Sequence, residues 1–149
     1  MILFDSNLLV YAHARSSPWH EAAKQLRDQA AEGDLEACLS PQILCEFFAV
    51  TTNEKLFKPA LTPEQASKEI RIYWEKSNFK KILPKESTIP RLLELAAQRN
   101  IQGQHIFDVF LVATMLDNGV HIVYTQNTKD FAVFKEIQAI NPFTISVKA

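Results

Sequence analysis

His105-Ile106-Phe107-Asp108-Val109-Phe110-Leu111-Val112-Ala113-Thr114-Met115-Leu116 reads as a helix that is apolar on almost every side. Such a helix belongs in the middle of a fold, covered by other elements. It nevertheless carries one carboxylate, Asp108, near its start. An ionised side chain is almost never fully buried unless it is paired or holds a metal. Asp117, nine residues further on, falls on the other side of the helix near its polar end and raises no such difficulty. What Asp108 faces is therefore the first question the chain poses.

Outward from this helix, apolar runs alternate with helical patterns. Ile2-Leu3-Phe4 reads as a buried strand, ended by Asp5-Ser6-Asn7, with a short helix over Leu8 to Ala12. Ser17-Pro18 marks the start of a helix that runs to about Glu32 and stops at Gly33. A second strand over Glu36 to Leu39 leads to Ser40-Pro41 and a strongly apolar helix from Ile43 to Thr51. Thr62-Pro63-Glu64-Gln65 is a capping box for a helix that buries Ala66, Ile70, Tyr73 and Trp74. Further strands are expected over Phe79 to Leu83 and His121 to Tyr124, with a helix carrying Leu92, Leu93, Leu95 and Ala96 between them. Phe131 to Phe134 suits a helical turn, and Ile137 to Ile140 and Phe143 to Val147 suit edge strands. The alternation places the chain in the α/β class, with a mainly parallel central sheet flanked by helices. Residues 1–149 read as one domain, without repeat or linker.

Composition excludes several function classes. Net charge is −1 and 47% of the residues are hydrophobic, so polyanion binding would have to come from a local basic patch. The three glycines build no phosphate-cradling loop, which argues against both nucleotide-binding fingerprints. Cys38 and Cys45, in apolar surroundings, read as buried free thiols of a reducing cytoplasm. No cysteine or histidine spacing suits structural zinc. The amino terminus meets an acid too early for a signal peptide, and no apolar run approaches a membrane span.

The second anomaly is Glu46, a lone acid inside Ile43-Leu44-Cys45-Glu46-Phe47-Phe48-Ala49-Val50. Asp5 follows the first strand, and Asp130 lies in the turn after His121-Ile122-Val123-Tyr124. Ligands of open α/β sheets gather at the carboxyl ends of strands. Asp5, Glu46, Asp108 and Asp130 therefore point to one edge of the sheet. Converging carboxylates repel unless a cation compensates, and a hard divalent ion such as Mg²⁺, or Mn²⁺ in its place, does so with oxygen ligands. Each acid alone has a structural explanation: Asp5 as a helix cap, Glu46 and Asp108 as partners of a buried Arg or Lys. The helical stripes around them offer no obvious base, and two separate coincidences are harder to accept than one metal.

These residues resemble the PIN-domain family, specifically the small toxin ribonucleases of VapC kind. The likeness rests on Leu3-Phe4-Asp5-Ser6-Asn7-Leu8-Leu9-Val10-Tyr11, on Ser40 before Glu46-Phe47, on His105-Ile106-Phe107-Asp108 and on Thr125-Gln126-Asn127-Thr128-Lys129-Asp130-Phe131. Four short motifs in order cover nearly the whole chain. The resemblance implies a PIN-like fold and puts the family's first three acids on Asp5, Glu46 and Asp108. Its fourth falls on Asp130, with Asn127 as a hydrogen-bonding neighbour or as a neutral replacement. Ser6 stands where threonine is usual. Ser6, Asn7, Ser40 and Thr125 are implied as supporting residues that orient the acids.

The implied activity is divalent-metal-dependent hydrolysis of RNA phosphodiester bonds by an activated water, with the chain as toxin of a type II toxin–antitoxin pair. The implied partners are RNA, a small antitoxin protein and a second copy of the chain. Arg15, Lys55, Lys58 and Lys129 are the loop cations placed to meet a substrate, and Tyr73, Trp74 and Phe57 the aromatics placed to meet a partner. Two other classes compete. A haloacid-dehalogenase-type phosphatase needs a second aspartate two residues after the first, where this chain has Asn7. A catalytically weak or inactive PIN-like RNA-binding module is disfavoured by the three acids this chain keeps, and Asn127 at the fourth position leaves it open. His105 reads as a residue of the helix start, not as a catalytic base.

Overall fold

A computed structural model describes residues 1–145. Five strands, β1 (Ile2–Phe4), β2 (Ala37–Leu39), β3 (Lys80–Lys81), β4 (Ile122–Tyr124) and β5 (Gln138–Ile140), form a sheet in the order β3-β2-β1-β4-β5. Every pairing is parallel. Helices α1 (Ser6–His13), α2 (His20–Glu32), α3 (Pro41–Thr51), α4 (Pro63–Arg71), α5 (Thr88–Gln98), α6 (Ile106–Asp117) and α7 (Pro142–Ile145) connect and flank the strands. The α/β class with a parallel sheet is thus the observed one. Among the described residues, no helix is long and apolar enough to cross a membrane.

The central strand is β1. Ile2 pairs with Ala37 on one side and Ile122 on the other, and Leu3 and Phe4 are fully buried. A strand covered on both faces must be apolar throughout, which is why Ile2-Leu3-Phe4 has no alternation. At the edge, β3 is two exposed lysines, a short charged strand of the kind that discourages further pairing. Only Lys80–Lys81 of the expected Phe79–Leu83 strand forms; Phe79 and Ile82 bury their side chains, and Ile82 N still donates to Leu39 O at 3.0 Å.

Other expectations shift at their ends. α1 begins at Ser6, not Leu8, because Asp5 caps it. α2 begins at His20: the Ser17 hydroxyl accepts from Trp19 N at 3.1 Å, closing a turn two residues on in place of an N-cap bond. The Thr62–Gln65 capping box forms in full, but α4 passes into a π-helical turn over Ile72–Lys76. The helical turn expected at Phe131–Phe134 sits earlier, as a 3₁₀ turn over Thr128–Phe131. Pro142–Ile145 is helix α7, not an edge strand, and the rest of that expected strand lies outside the described residues. Cys38 is buried, and burial pushes its thiol up to about 12; Cys45, expected inside, is exposed.

α6 buries Val109, Leu111, Val112, Ala113, Thr114 and Met115, yet Phe107 in its first turn is 58% exposed. Asp117 is the reverse surprise. Its side chain retains 2% exposure, covered by α5. The hydroxyls of Ser87 and Thr88 donate to Asp117 Oδ2 at 2.9 and 2.6 Å, and Arg91 Nε binds Oδ1. Lys85 Nζ reaches its carbonyl at 2.8 Å. This acid clamps the start of α5 to the end of α6, and so fixes the angle at which α6 carries Asp108.

Candidate metal centre

β1 and β4 lie side by side, and the chain leaves them toward opposite edges of the sheet. That is the topological switch point where open parallel sheets form a crevice. Asp5 ends β1 and Thr125 ends β4. Asp5 N donates to Tyr124 O at 3.0 Å, and its carboxylate Oδ1 accepts from Ser6 N at 2.8 Å. Thr125, fully buried, donates its hydroxyl proton to Asp5 Oδ2 at 2.7 Å. Thr125 Oγ1 itself accepts from Asn7 Nδ2 at 3.2 Å and Asn127 N at 3.0 Å, so the hydroxyl's hydrogen-bonding capacity is filled. Asn7 Oδ1 in turn accepts from Gln126 N at 3.3 Å.

The second wall is α3. Ser40 caps it through Ile43 N at 3.4 Å, and Pro41 fills the first turn. Glu46 projects from the middle of the helix. One turn before it, Gln42 Nε2 donates both to Glu46 Oε2 at 3.2 Å and to Phe107 O at 3.0 Å. A single amide therefore ties the second acid to the first turn of α6, next to Asp108. Among the described residues, Gln42 Oε1 is buried without a partner. Asp108 itself faces His105 Nδ1 at 3.8 Å, three residues back on the same helix.

These elements enclose a cleft of about 430 Å³. Asp5, Ser6, Asn7, Glu46, Asp108, Asn127 and Asp130 supply its polar wall, and Val10, Tyr11, Val50, Leu56, Leu111 and Phe131 its apolar one. Burial raises the Asp5 carboxyl above its ordinary range against the hydrogen bonds from Thr125 and Ser6, and the charge of Asp130 adds to the rise. Glu46 is raised by burial and then by Asp5 and Asp108, with Gln42 opposing. Asp108 is raised by burial and then by Asp130 and Asp5, with His105 opposing. Among the described residues, neither Asp5 nor Glu46 forms an ion pair with a base. Carboxylates that raise one another across a partly desolvated cleft are a donor set for a hard cation. No three Asp, Glu, His or Cys side chains among the described residues are grouped tightly enough to hold an ion as they stand. The side chains of this wall would have to draw inward to ligate one.

The four acids expected from sequence thus face one cleft. Asp130 and Asn127 both line it, Asp130 through its exposed side chain and Asn127 with its backbone anchored on Thr125. Ser6 and Asn7 also line it. Ser40 does not reach the cleft; it is a helix cap. Gln42 was not legible from sequence, because an i, i+4 glutamine and glutamate on an apolar helix carry no signal until the neighbouring helix is placed. The His105–Asp108 spacing was visible as i, i+3 but competes with an ordinary helix-start histidine. Of the expected partner aromatics, Tyr73 and Phe57 belong to the core: Tyr73 OH meets His13 Nε2 at 2.8 Å. Trp74 instead lines an apolar groove of about 380 Å³ with Leu44, Cys45 and Ile70, between α3 and α4.

The model of the PIN domain matches residues 2–137. The chain belongs to the PIN-domain family. Ribonuclease VapC48 of Mycobacterium tuberculosis is 26% identical over 141 residues, which is 95% of this chain and 97% of that protein. Among solved structures, VapC20 of M. tuberculosis, described as a toxin that cleaves the sarcin–ricin loop, superposes with a TM-score of 0.66 at 14% identity, covering 93% of this chain and 99% of that one. VapBC2 of Rickettsia felis, bound to a promoter DNA fragment, gives 0.65 at 18%, covering 94% and 98%. At such identities the structures show the PIN fold alone. The PIN-like architecture expected from sequence is the one the chain has.

Proposed function

We propose that residues 1–149 act as a single PIN nuclease domain, a divalent-metal-dependent endoribonuclease that is the toxin of a toxin–antitoxin pair. One observation carries the reading: Asp5, Glu46 and Asp108, from the end of β1, the middle of α3 and the start of α6, face one cleft with Asp130. The VapC relatives, and the general dependence of PIN-domain VapC nucleases on divalent metal, support it. Asp5, Glu46 and Asp108 would hold Mg²⁺ or Mn²⁺, with Asp130 completing the set and Asn127 bonding beside it. When bound, the ion supplies Lewis-acid polarisation of a phosphoryl oxygen and a water of lowered pKa.

The chain's own residues do the rest. Thr125 and Ser6 N–H hold both oxygens of the Asp5 carboxylate in place. Asn7 and Gln42 hold the flanking geometry. On the apolar wall, half-buried Tyr11 and exposed Leu56 offer flat or flexible surface to an unstacked base, as single-stranded RNA recognition requires. Asn7, where a phosphatase would need its second acid, donates its amide to Asp5 Oδ2 at 3.4 Å. It serves the first carboxylate and is no proton donor to a leaving group. A small antitoxin protein and a second copy of the chain are the protein partners this reading assigns, with action in the cytoplasm. The apolar Trp74 groove is a surface suited to such a contact.

The test is cleavage of labelled single-stranded RNA with Mg²⁺ or Mn²⁺ by the wild type, Asp5→Asn and Asp108→Asn. Cleavage that needs metal and is lost in both variants is expected. Metal-independent cleavage, or equal rates in the variants, would overturn the reading.

A further inference from the structure

Among the described residues no Lys or Arg lines the acid cleft, so an RNA strand must be held by charge from its flanks. One flank is built in a specific place. Asn7, Val10 and Tyr11 line the acid cleft. Ala14 lies seven, four and three residues after them, on the same stripe of α1 and its continuation. Ala14 lines a second pocket of about 430 Å³ with His13, Arg15, Ser16, Phe57 and Lys58. The two spaces also share one loop: Leu56 lines the first and Phe57 and Lys58 the second. From Asn7 to Ala14 the helical rise is about 10 Å, a span that a short run of single strand covers.

The charge of this pocket is one-sided. Arg15 and Lys58 are exposed, and no acid appears among its lining residues. Among the described residues neither cation is engaged in an ion pair, whereas Arg27, Arg71, Arg91 and Arg99 all are. His13 contributes no charge at neutral pH, since burial and the nearby Arg27 lower it to about 4. Leu56, between the two pockets, is 63% exposed, an apolar side chain held out where a base would pass.

We propose that Arg15 and Lys58 form a phosphate-binding subsite for the RNA strand, a short way along α1 from the bond that is cleaved. The inference rests on the ribonuclease reading and adds the path of the substrate: the strand leaves the acid cleft over Leu56 and Tyr11 and places a backbone phosphate between these two cations. An acidic peptide is the competing occupant. RNA is favoured because the pocket adjoins the acid cleft, next to it along α1 and across the Leu56–Lys58 loop, on the path of a strand held at the acids.

The test is fluorescence anisotropy of a labelled single-stranded RNA with EDTA present to hold cleavage off, across a salt series. Arg15→Gln with Lys58→Gln is compared with wild type and with a control pair, Lys76→Gln with Lys80→Gln. The control pair lies near the amino ends of the strands, away from the cleft. Two phosphate contacts account for a slope of about 1.4 in log K against log salt for a single strand, so the double variant should lose about that much slope. Its affinity should fall on the order of tenfold at moderate salt, with the control pair near wild type. Unchanged affinity and slope in a double variant that melts like wild type would overturn the subsite. So would an equal loss in the control pair, which would mean diffuse attraction only. If the double variant binds as wild type while wild type still cleaves RNA with metal, the subsite fails and the nuclease reading stands. If wild type neither binds nor cleaves RNA, both fail.

Discussion

The Thr125 hydroxyl donates to Asp5 Oδ2 at 2.7 Å across 120 residues of sequence, joining the ends of two adjacent strands. This bond orients the first acid and favours its charged form against burial. Outer partners of this kind are worth about 10–100-fold in metal affinity. Thr125→Val should therefore weaken Mn²⁺ binding, read by titration calorimetry, within that range, and Thr125→Ser should restore most of it. Wild-type affinity in the valine variant would show that Ser6 N–H and the Asn7 amide orient Asp5 without Thr125.

Gln42 offers a separable prediction. Its amide bonds Glu46 Oε2 and Phe107 O, so Gln42→Leu loses two hydrogen bonds and relieves one orphaned acceptor. The net cost in urea unfolding should be small, about 1 kcal/mol. The loss in RNA cleavage should be larger than that stability change implies, because Glu46 is then free to rotate. Unaltered turnover at saturating substrate would remove Gln42 from the positioning of the site.

The acids repel one another, and that repulsion has a stability signature. With folded pKa values above the ordinary range, Asp5, Glu46 and Asp108 hold protons more tightly in the folded chain, so they destabilise the metal-free fold at neutral pH. Asp108→Asn should raise the metal-free Tm by a few degrees, on the scale of ~1 kcal/mol. Added Mn²⁺ should then stabilise wild type more than the variant, by mass action on the folded state. A variant that melts lower without metal and gains as much from Mn²⁺ would contradict a cation among these carboxylates.

His13 sets an acid limb of its own. The unfolded chain takes up a proton there below about 6.5, whereas in the folded chain burial, then Arg27 and His20, lowers His13 to about 4. Stability is fully present above pH 6.5 and falls as pH drops through that window, by up to about 3 kcal/mol. Urea midpoints of wild type and His13→Gln between pH 7 and 4 should converge as pH falls. Parallel curves would mean that His13 is protonated in the folded chain.

Asp117 is a structural acid. Truncation to Ala removes the acceptor of Ser87, Thr88 and Arg91 together and should cost about 2–3 kcal/mol in urea unfolding. Metal affinity should fall less than for Thr125→Val, since the clamp sits at the far end of α6 from Asp108. A loss under 0.5 kcal/mol, on the scale of a plain surface change, would show that the clamp is idle.

Much of this was readable in the residues, for physical reasons that differ by site. Asp5, Glu46 and Asp108 stood out because a charge inside an apolar pattern needs an explanation, and α/β alternation placed their elements at one sheet edge. Ser40 was legible as a cap and not as a site residue, since a serine before proline does the same work in any helix. Asp117 misled: helical periodicity put it on the polar side, but the side that looked outward on α6 alone is covered by α5. Strand ends failed at β3, where Phe79 and Ile82 carry the apolar signal and the two lysines between them carry the ladder. The basic pocket was half legible, with Arg15 and Lys58 visible as loop cations and their meeting visible only after folding.

The bond between Thr125 and Asp5 also has a consequence for how such an enzyme is made. Synthesis delivers Asp5 long before Thr125, and the crevice needs β4 seated beside β1. A growing chain from which β4 has not yet emerged has the first two acids but no pocket. The messenger and the machine that translate a ribonuclease are the RNAs nearest to it, and the fold withholds the crevice from both until β4 is in place.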